Sequence, residues 1–230
     1  MEILDLEREY NIAKETTSFS QHQQFIKQLL SSDKEEIVTY HFELLKRKEN
    51  WELYQRIRYA FIKRGTIADN FLINRIKIEK DPELQADILQ LLGGLKSKQA
   101  LPLARDFIKH KYPEHRHRAC FVLGWVGVQE DIDILSDRLF NDPKHPIRGT
   151  AATALRQLWG RLPDMKMKIL INLKKALETE EDEDAVKRII ISIQTIMKKR
   201  FGLKENIEER EITGDVDIAR KRTLKALTLI

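Results

Sequence analysis

Three segments of this chain carry one hydrophobic pattern. They are DPELQADILQLLGGLK (81–96), YPEHRHRACFVLGWVG (112–127) and PIRGTAATALRQLW (146–159). Starting from Gln85, Arg116 and Arg148, apolar residues follow at +3, +6, +7 and +10: Ile88, Leu91, Leu92 and Leu95; Ala119, Val122, Leu123 and Val126; Ala151, Ala154, Leu155 and Leu158. That spacing lines one face of an α-helix. The three marker positions recur about every 31 residues, a period that belongs to repeat architectures. An earlier copy fits NWELYQRIRYAFIKRG, with Tyr54 at the marker and Ile57, Ala60 and Phe61 after it. A looser one fits residues 182–199. Between the copies lie further helical stretches, 67–78, 97–110, 129–140 and 165–177, and three more precede them at about 2–15, 20–31 and 33–48.

A helix pair with one apolar face cannot bury that face alone, so neighbouring pairs must stack. The expectation is an all-α fold, an α-solenoid of about six antiparallel helix pairs over residues 1–200. Ala119, Ala151 and Ala154 are small enough for close helix approach. Pro82, Pro113 and Pro146 suit helix starts, where a missing N–H costs nothing. Gly93, Gly94, Gly124 and Gly127 can end helices in left-handed conformations. Residues 201–230 differ. KENIEEREITGDVD is polar and reads as a loop-like linker. DVDIARKRTLKALTLI then reads as an amphipathic capping helix with Ile218, Leu224 and Leu227 on one side.

The pattern resembles HEAT repeats, in the bacterial subtype also seen in phycobilin lyases. The family pattern runs roughly D-P-x-V-R-x-x-A-x-x-A-L-G-x-x-G. Asp81-Pro82, Arg116, Ala119, Leu123-Gly124 and Gly127 match it, and so do Arg148, Ala151, Ala154 and Leu155. Gln85 stands where the family has Arg, and Arg156 where it has Gly. The resemblance covers about residues 50–200. It implies that the second helix of each pair lines a concave, partner-binding face. It also implies that Arg116 and Arg148 tie adjacent repeats through carboxylates, with Asp81 or Asp87 as acceptors for Arg116.

Composition narrows the function classes. Of 230 residues, 42% are hydrophobic and 33% charged, with only 9 Gly and 6 Pro, which favours helices over a loop-rich fold. The single cysteine, Cys120, excludes an intramolecular disulfide framework. MEILDLEREY lacks the basic and continuous apolar regions of a signal peptide, and no apolar run approaches a membrane span. A cytoplasmic chain with no membrane partner is expected. The net charge of +5 is uneven. It is −3 over residues 1–50, +4 over 51–110, +4 over 111–178 and zero thereafter, so the middle suits an acidic protein surface or nucleic acid.

KHKYPEHRHR (109–118) is the densest cluster of bases and histidines. It falls at a corner between two helices. Cations close the first and Glu114 opens the second, each suiting the local helix dipole. His115 takes a position expected to half-pack between helices. His115 and His117 point to different sides of the helix, and His110 adds no recognisable ligand spacing, so no metal site is expected. The acids of TEEDEDAV read as dipole-stabilising charges at a helix start. Cys120 reads as core, without a partner for nucleophilic chemistry.

Phe121 and Trp125 stand one helical turn apart, off the core positions and beside Arg118. They are expected to form an exposed aromatic ridge, the kind of anchor that binding hot spots use. Tyr59 occupies the same repeat position as Phe121, with Arg58 before it. Thr153 and Gln157 continue the row in the next repeat. The candidate partner-binding line is therefore Arg58, Tyr59, Arg118, Phe121, Trp125, Thr153 and Gln157. No catalytic constellation and no cofactor site is expected. The leading reading is a non-enzymatic protein-binding scaffold or adaptor, such as an assembly or toxin-neutralising partner. The alternative is a nucleic-acid binder or a DNA-alkylation-repeat-type glycosylase, for which Trp125 and Asp87 would supply the aromatic and the carboxylate. A chromophore lyase is a third reading, by kinship of the repeat subtype alone.

Overall fold

The computed structural model describes residues 2–206, 209 and 211–228. The chain divides into two compact units, Met1–Ser97 and Lys98–Ile230. In the first, α1 (Ile3–Lys14), α2 (Phe19–Leu29), α3 (Glu35–Glu43), α4 (Trp51–Ile62), α5 (Thr66–Arg75) and α6 (Pro82–Gly94) follow one another. α2, α4 and α6 pack in sequence, and α1, α3 and α5 lie against them. In the second, α7 (Ala100–Phe107), α8 (Pro113–Val126), α9 (Asp131–Asn141), α10 (His145–Arg161), α11 (Lys166–Thr179) and α12 (Glu183–Met197) repeat the arrangement. Here α8, α10 and α12 form one layer, with α9 and α11 behind them. The described residues thus form six consecutive helical hairpins, as the periodicity predicts, followed by α13 (Val216–Ala226).

The predicted apolar face is the core except at Leu95 and Val126, the +10 positions of their segments, which are half-buried. Tyr54, Ile57, Ala60, Phe61, Ile88, Leu91, Leu92, Ala119, Val122, Leu123, Ala151, Ala154, Leu155 and Leu158 are all buried. Helix starts are capped as their residue types dictate. The side chains of Asn50, Asp81, Asp182 and Asp215 each accept a backbone N–H of the first turn.

The first unit is stapled by one arginine. Arg64, 7% exposed, donates to Leu29 O, Ser32 O and the Asp33 carboxylate at 2.7–2.8 Å, and to His41 Nδ1 at 3.0 Å. His41 can accept there because its Nε2–H donates to Ile57 O at 2.9 Å. Burial pushes the His41 pKa down to about 3, which keeps the acceptor neutral.

The glycines depart from expectation. The left-handed helix ends are Lys96 and Lys198, each closed by a six-to-one bond, Ser97 N–H to Leu92 O and Lys199 N–H to Gln194 O. Gly124 instead lies inside α8 where α8 meets α10. A Cβ there would sit 3.0 Å from Ala154 Cα and 2.5 Å from Gln157 Oε1. Gly124→Ala is therefore expected to destabilise the protein by about 1–3 kcal/mol through overpacking. Gly160→Ala, in α10 with open space around it, is expected to stabilise by about 0.5–1 kcal/mol. Urea unfolding of the two variants checks the opposite signs.

The tail also differs. The polar stretch forms a short antiparallel pair, β1 (Lys204–Asn206) with β2 (Glu211–Thr213), Glu205 opposite Ile212. α13 packs on α11 and α12, as a capping helix would. Its buried line is Ala219, Thr223 and Leu227, while Ile218 is 46% exposed. Small residues at 219 and 223 let the helix lie close. Lys174 Nζ and Arg220 then bond Leu227 O and Leu177 O.

Candidate functional site

The repeat arginines hold the second unit in register. Arg116 Nε and Nη2 grip Asp142 at 2.7 and 3.0 Å, and Arg148 grips Glu180 at 2.6 and 2.7 Å. Each arginine also donates to the carbonyl six residues before it, His110 O and Asp142 O, at 3.0 Å. Gln85 keeps only that last bond, to Glu79 O at 2.6 Å. The link between repeats is as the resemblance implies, but the acceptor is not. Asp142 lies in the turn before the following repeat helix, whereas Asp81 caps α6 and Asp87 is consumed elsewhere. An arginine leans towards the N-terminal end of its own helix, so it meets that turn.

The basic corner is an aromatic sandwich. His115 is 1% exposed, more deeply buried than half-packing implies. It stacks on Phe107 with centroids 4.2 Å apart and meets His110 and Tyr112 at 4.4 and 5.6 Å. His117 faces the other way. Its Nε2 lies 3.0 Å from Thr150 Oγ1, whose own proton is given to Pro146 O at 2.8 Å, so His117 is the donor. Among the described residues no group of three or more His, Cys, Asp or Glu side chains is placed to hold a metal ion. Cys120 is fully buried, as expected of a core residue, and burial pushes its thiol pKa well up.

His117 begins a row. His117, Phe121 and Trp125 follow at one-turn intervals along α8, with ring centroids 5.0 and 6.2 Å apart. Phe121 and Trp125 are half-buried rather than fully exposed, and so are Arg118, Thr153 and Gln157. Gln157 packs over Gly124 from the adjacent α10, and Thr153 stands one turn before it. Arg188 comes in from α12. Its Cδ lies where a side chain on Gly149 would be, 2.6 Å from the ideal Cβ. Five of the seven candidate residues thus share one face of the α8–α10–α12 layer. Arg58, half-buried, and Tyr59, 70% exposed, lie on α4 in the first unit.

Two members of this face escaped the sequence reading. Arg156, one residue before Gln157, was marked only as a departure from the family Gly, and that departure was the available signal. Arg188 stands two residues past the marker position of its repeat, as Arg118 does in its own, and that register correspondence could have found it.

The His117 pKa is held down to about 4 by burial first, then by Arg118 and Arg188, against the opposing pull of Asp142 and Glu114. The unfolded chain takes up this proton near pH 6.5, so stability falls as pH drops from about 6.5 to 4 and is unaffected above. The lost contribution is about 3 kcal/mol at 1.36 kcal/mol per pKa unit. Urea midpoints measured between pH 7.5 and 4.5 should fall, and His117→Gln should lessen the fall, with the remainder including that of His41, whose lowered pKa has the same sign.

Asp87, the carboxylate that a glycosylase would need, is 1% exposed. It accepts the Tyr54 hydroxyl at 3.0 Å and lies 3.6 Å from Lys48 Nζ. It is a buried group of the first unit at the floor of a small pocket that Leu45, Lys48, Glu83 and Leu84 also line.

Stacked helical hairpins, with repeat arginines clamped to carboxylates in the second unit, define an all-α fold of helical repeats. Residues 70–156 match the family model of HEAT repeats. Among solved structures, a chain in the complex of CpcE and CpcF of phycocyanin lyase from Nostoc sp. PCC7120 is similar, with a TM-score of 0.58 and 18% identity over 68% of this chain and 98% of that one. No curated protein matches. Among the described residues no helix is long and apolar enough to cross a membrane.

Proposed function

We propose that this chain is a non-enzymatic protein-binding scaffold whose α8–α10–α12 face holds an acidic surface of another protein. The observation that carries the reading is the half-buried row His117–Phe121–Trp125, with Arg118, Arg156 and Arg188 around it. Half-buried aromatics give rigid contact area at little entropic cost, and flanking arginines give the face its sign. Thr153 and Gln157 add hydrogen-bonding groups along the same face, while Arg58 and Tyr59 belong to the first unit and are a separate candidate contact. The solved complex supports a protein partner in one respect: in it CpcE and CpcF are bound together. That complex is of a lyase, but a likeness at 18% identity carries the fold alone.

Nucleic-acid binding draws on the basic middle of the chain and on nothing more specific. The glycosylase version draws little support from Asp87, which is bonded to Tyr54 beside Lys48 in the first unit, whereas Trp125 lies in the second. The test is affinity capture with the full chain and with Arg118→Glu. A protein recovered stoichiometrically by the former and lost by the latter is the expected result. Equal recovery by both would remove this face from the account.

A further inference from the structure

The strand pair β1–β2 raises a question of stability. Two strands of three residues do not stand alone in water, and five of their six residues are exposed. Something other than the pair must hold it in place. Its base is anchored firmly. Phe201 and Leu203 are each 3% exposed, and the side-chain amide of Gln194 on α12 accepts Phe201 N–H at 2.7 Å and donates to Leu203 O at 3.1 Å. Gly214 closes the same end against Gly202 and Leu203, with a φ of 126° that a side chain would strain.

The strands themselves are held differently. Glu205, the central residue of β1, takes a two-pronged bond from Arg156 of α10 at 2.8 and 3.3 Å. Arg156 belongs to the layer that carries the candidate face. It neighbours Gln157 and stands one turn past Thr153. An acidic, extended piece of this chain therefore already lies against that layer, fixed at its base by buried residues and along β1 by one ion pair, Glu205 with Arg156. Such a pair is weak, typically below about 1 kcal/mol, so the strands can leave while the base stays.

We propose that β1–β2 occupies in cis the place of an acidic, extended segment of the partner protein, with Arg156 as the carboxylate contact, so that partner segment and strand pair compete. This rests on the scaffold reading above. It adds what that reading leaves open: the conformation of the bound segment, its anchoring cation and a built-in restraint on affinity. The face and its intramolecular occupant carry complementary charge. Arg156 breaks the repeat pattern at the point where the strand is held.

The experiment uses the full chain and, as probe, a fluorescein-labelled peptide with the sequence of residues 203–214, read by anisotropy. Glu205→Ala, with the cis carboxylate removed, should bind the peptide up to about fivefold more tightly than the wild type, the effect of one surface ion pair. Adding Arg156→Ala should abolish the gain. The swap Arg156→Glu/Glu205→Arg should return the chain to the restrained state. Equal affinity for the wild type and Glu205→Ala, no peptide binding by either, or a gain that survives Arg156→Ala would each overturn the proposal. Circular dichroism and urea midpoints confirm that the variants fold. No partner protein is needed, so a failure here is distinct from a failure of the scaffold reading, which affinity capture tests.

Discussion

Arg116→Ala is expected to lower stability by about 3–5 kcal/mol, because it leaves the Asp142 carboxylate buried without its charge partner. Asp142 is 1% exposed and Arg116 6%. Besides the two-pronged pair, the guanidinium satisfies His110 O and Lys111 O at 3.0 Å, so one truncation orphans two carbonyls and a carboxylate. The remaining cation, Arg138, lies 3.6 Å from Asp142 and is part of a separate pair with Asp137. Against a typical total of about 5–15 kcal/mol, this loss should shift the urea midpoint visibly at 25 °C. Trp125 and Trp159 report on the second unit by fluorescence. Arg116→Ala/Asp142→Ala should recover part of the loss, since no buried charge is then left over. A midpoint for Arg116→Ala within experimental error of the wild type would refute the clamp.

The second large effect concerns binding. Phe121→Ala and Trp125→Ala should each weaken the captured partner by about 2 kcal/mol or more, on the order of 30-fold. Both rings are half-buried on the free protein, so their truncation should alter the fold less than a core substitution does. Phe140, 39% exposed on α9 in the layer behind, supplies the control, and Phe140→Ala should leave affinity within about twofold. Calorimetric titration with the purified partner measures all three.

The helices, their pairing and the core were legible because the +3, +6, +7, +10 spacing is enforced by burial itself. Ala119 or Leu155 could hardly be placed elsewhere. The clamp was half legible. Arg116 and Arg148 stood out, but their acceptors Asp142 and Glu180 lie 26 and 32 residues on, and only the stacking of repeats brings them near. The row Phe121–Trp125–Thr153–Gln157 was readable from repeat register, but its degree of burial was not, since it depends on how closely α10 approaches through Gly124. The strand pair was invisible. Residues 204–213 show no apolar alternation, and the placing of the two strands, 204–206 and 211–213, comes from Gln194, Phe201 and Arg156 rather than from local propensity. The buried side of α13 was misread for a similar reason. Packing selected the small residues Ala219 and Thr223 over the larger Ile218.

The central claim is that the α8–α10–α12 face holds a protein. The most direct measurement sets the full chain and Phe121→Ala/Trp125→Ala side by side in two titrations, one with the captured partner and one with a labelled DNA duplex across a salt series. The account predicts saturable partner binding that the double variant loses, and no DNA binding tight enough to compete at physiological salt. Tight DNA binding that falls steeply with salt and disappears in the double variant, with partner binding unchanged, would contradict it.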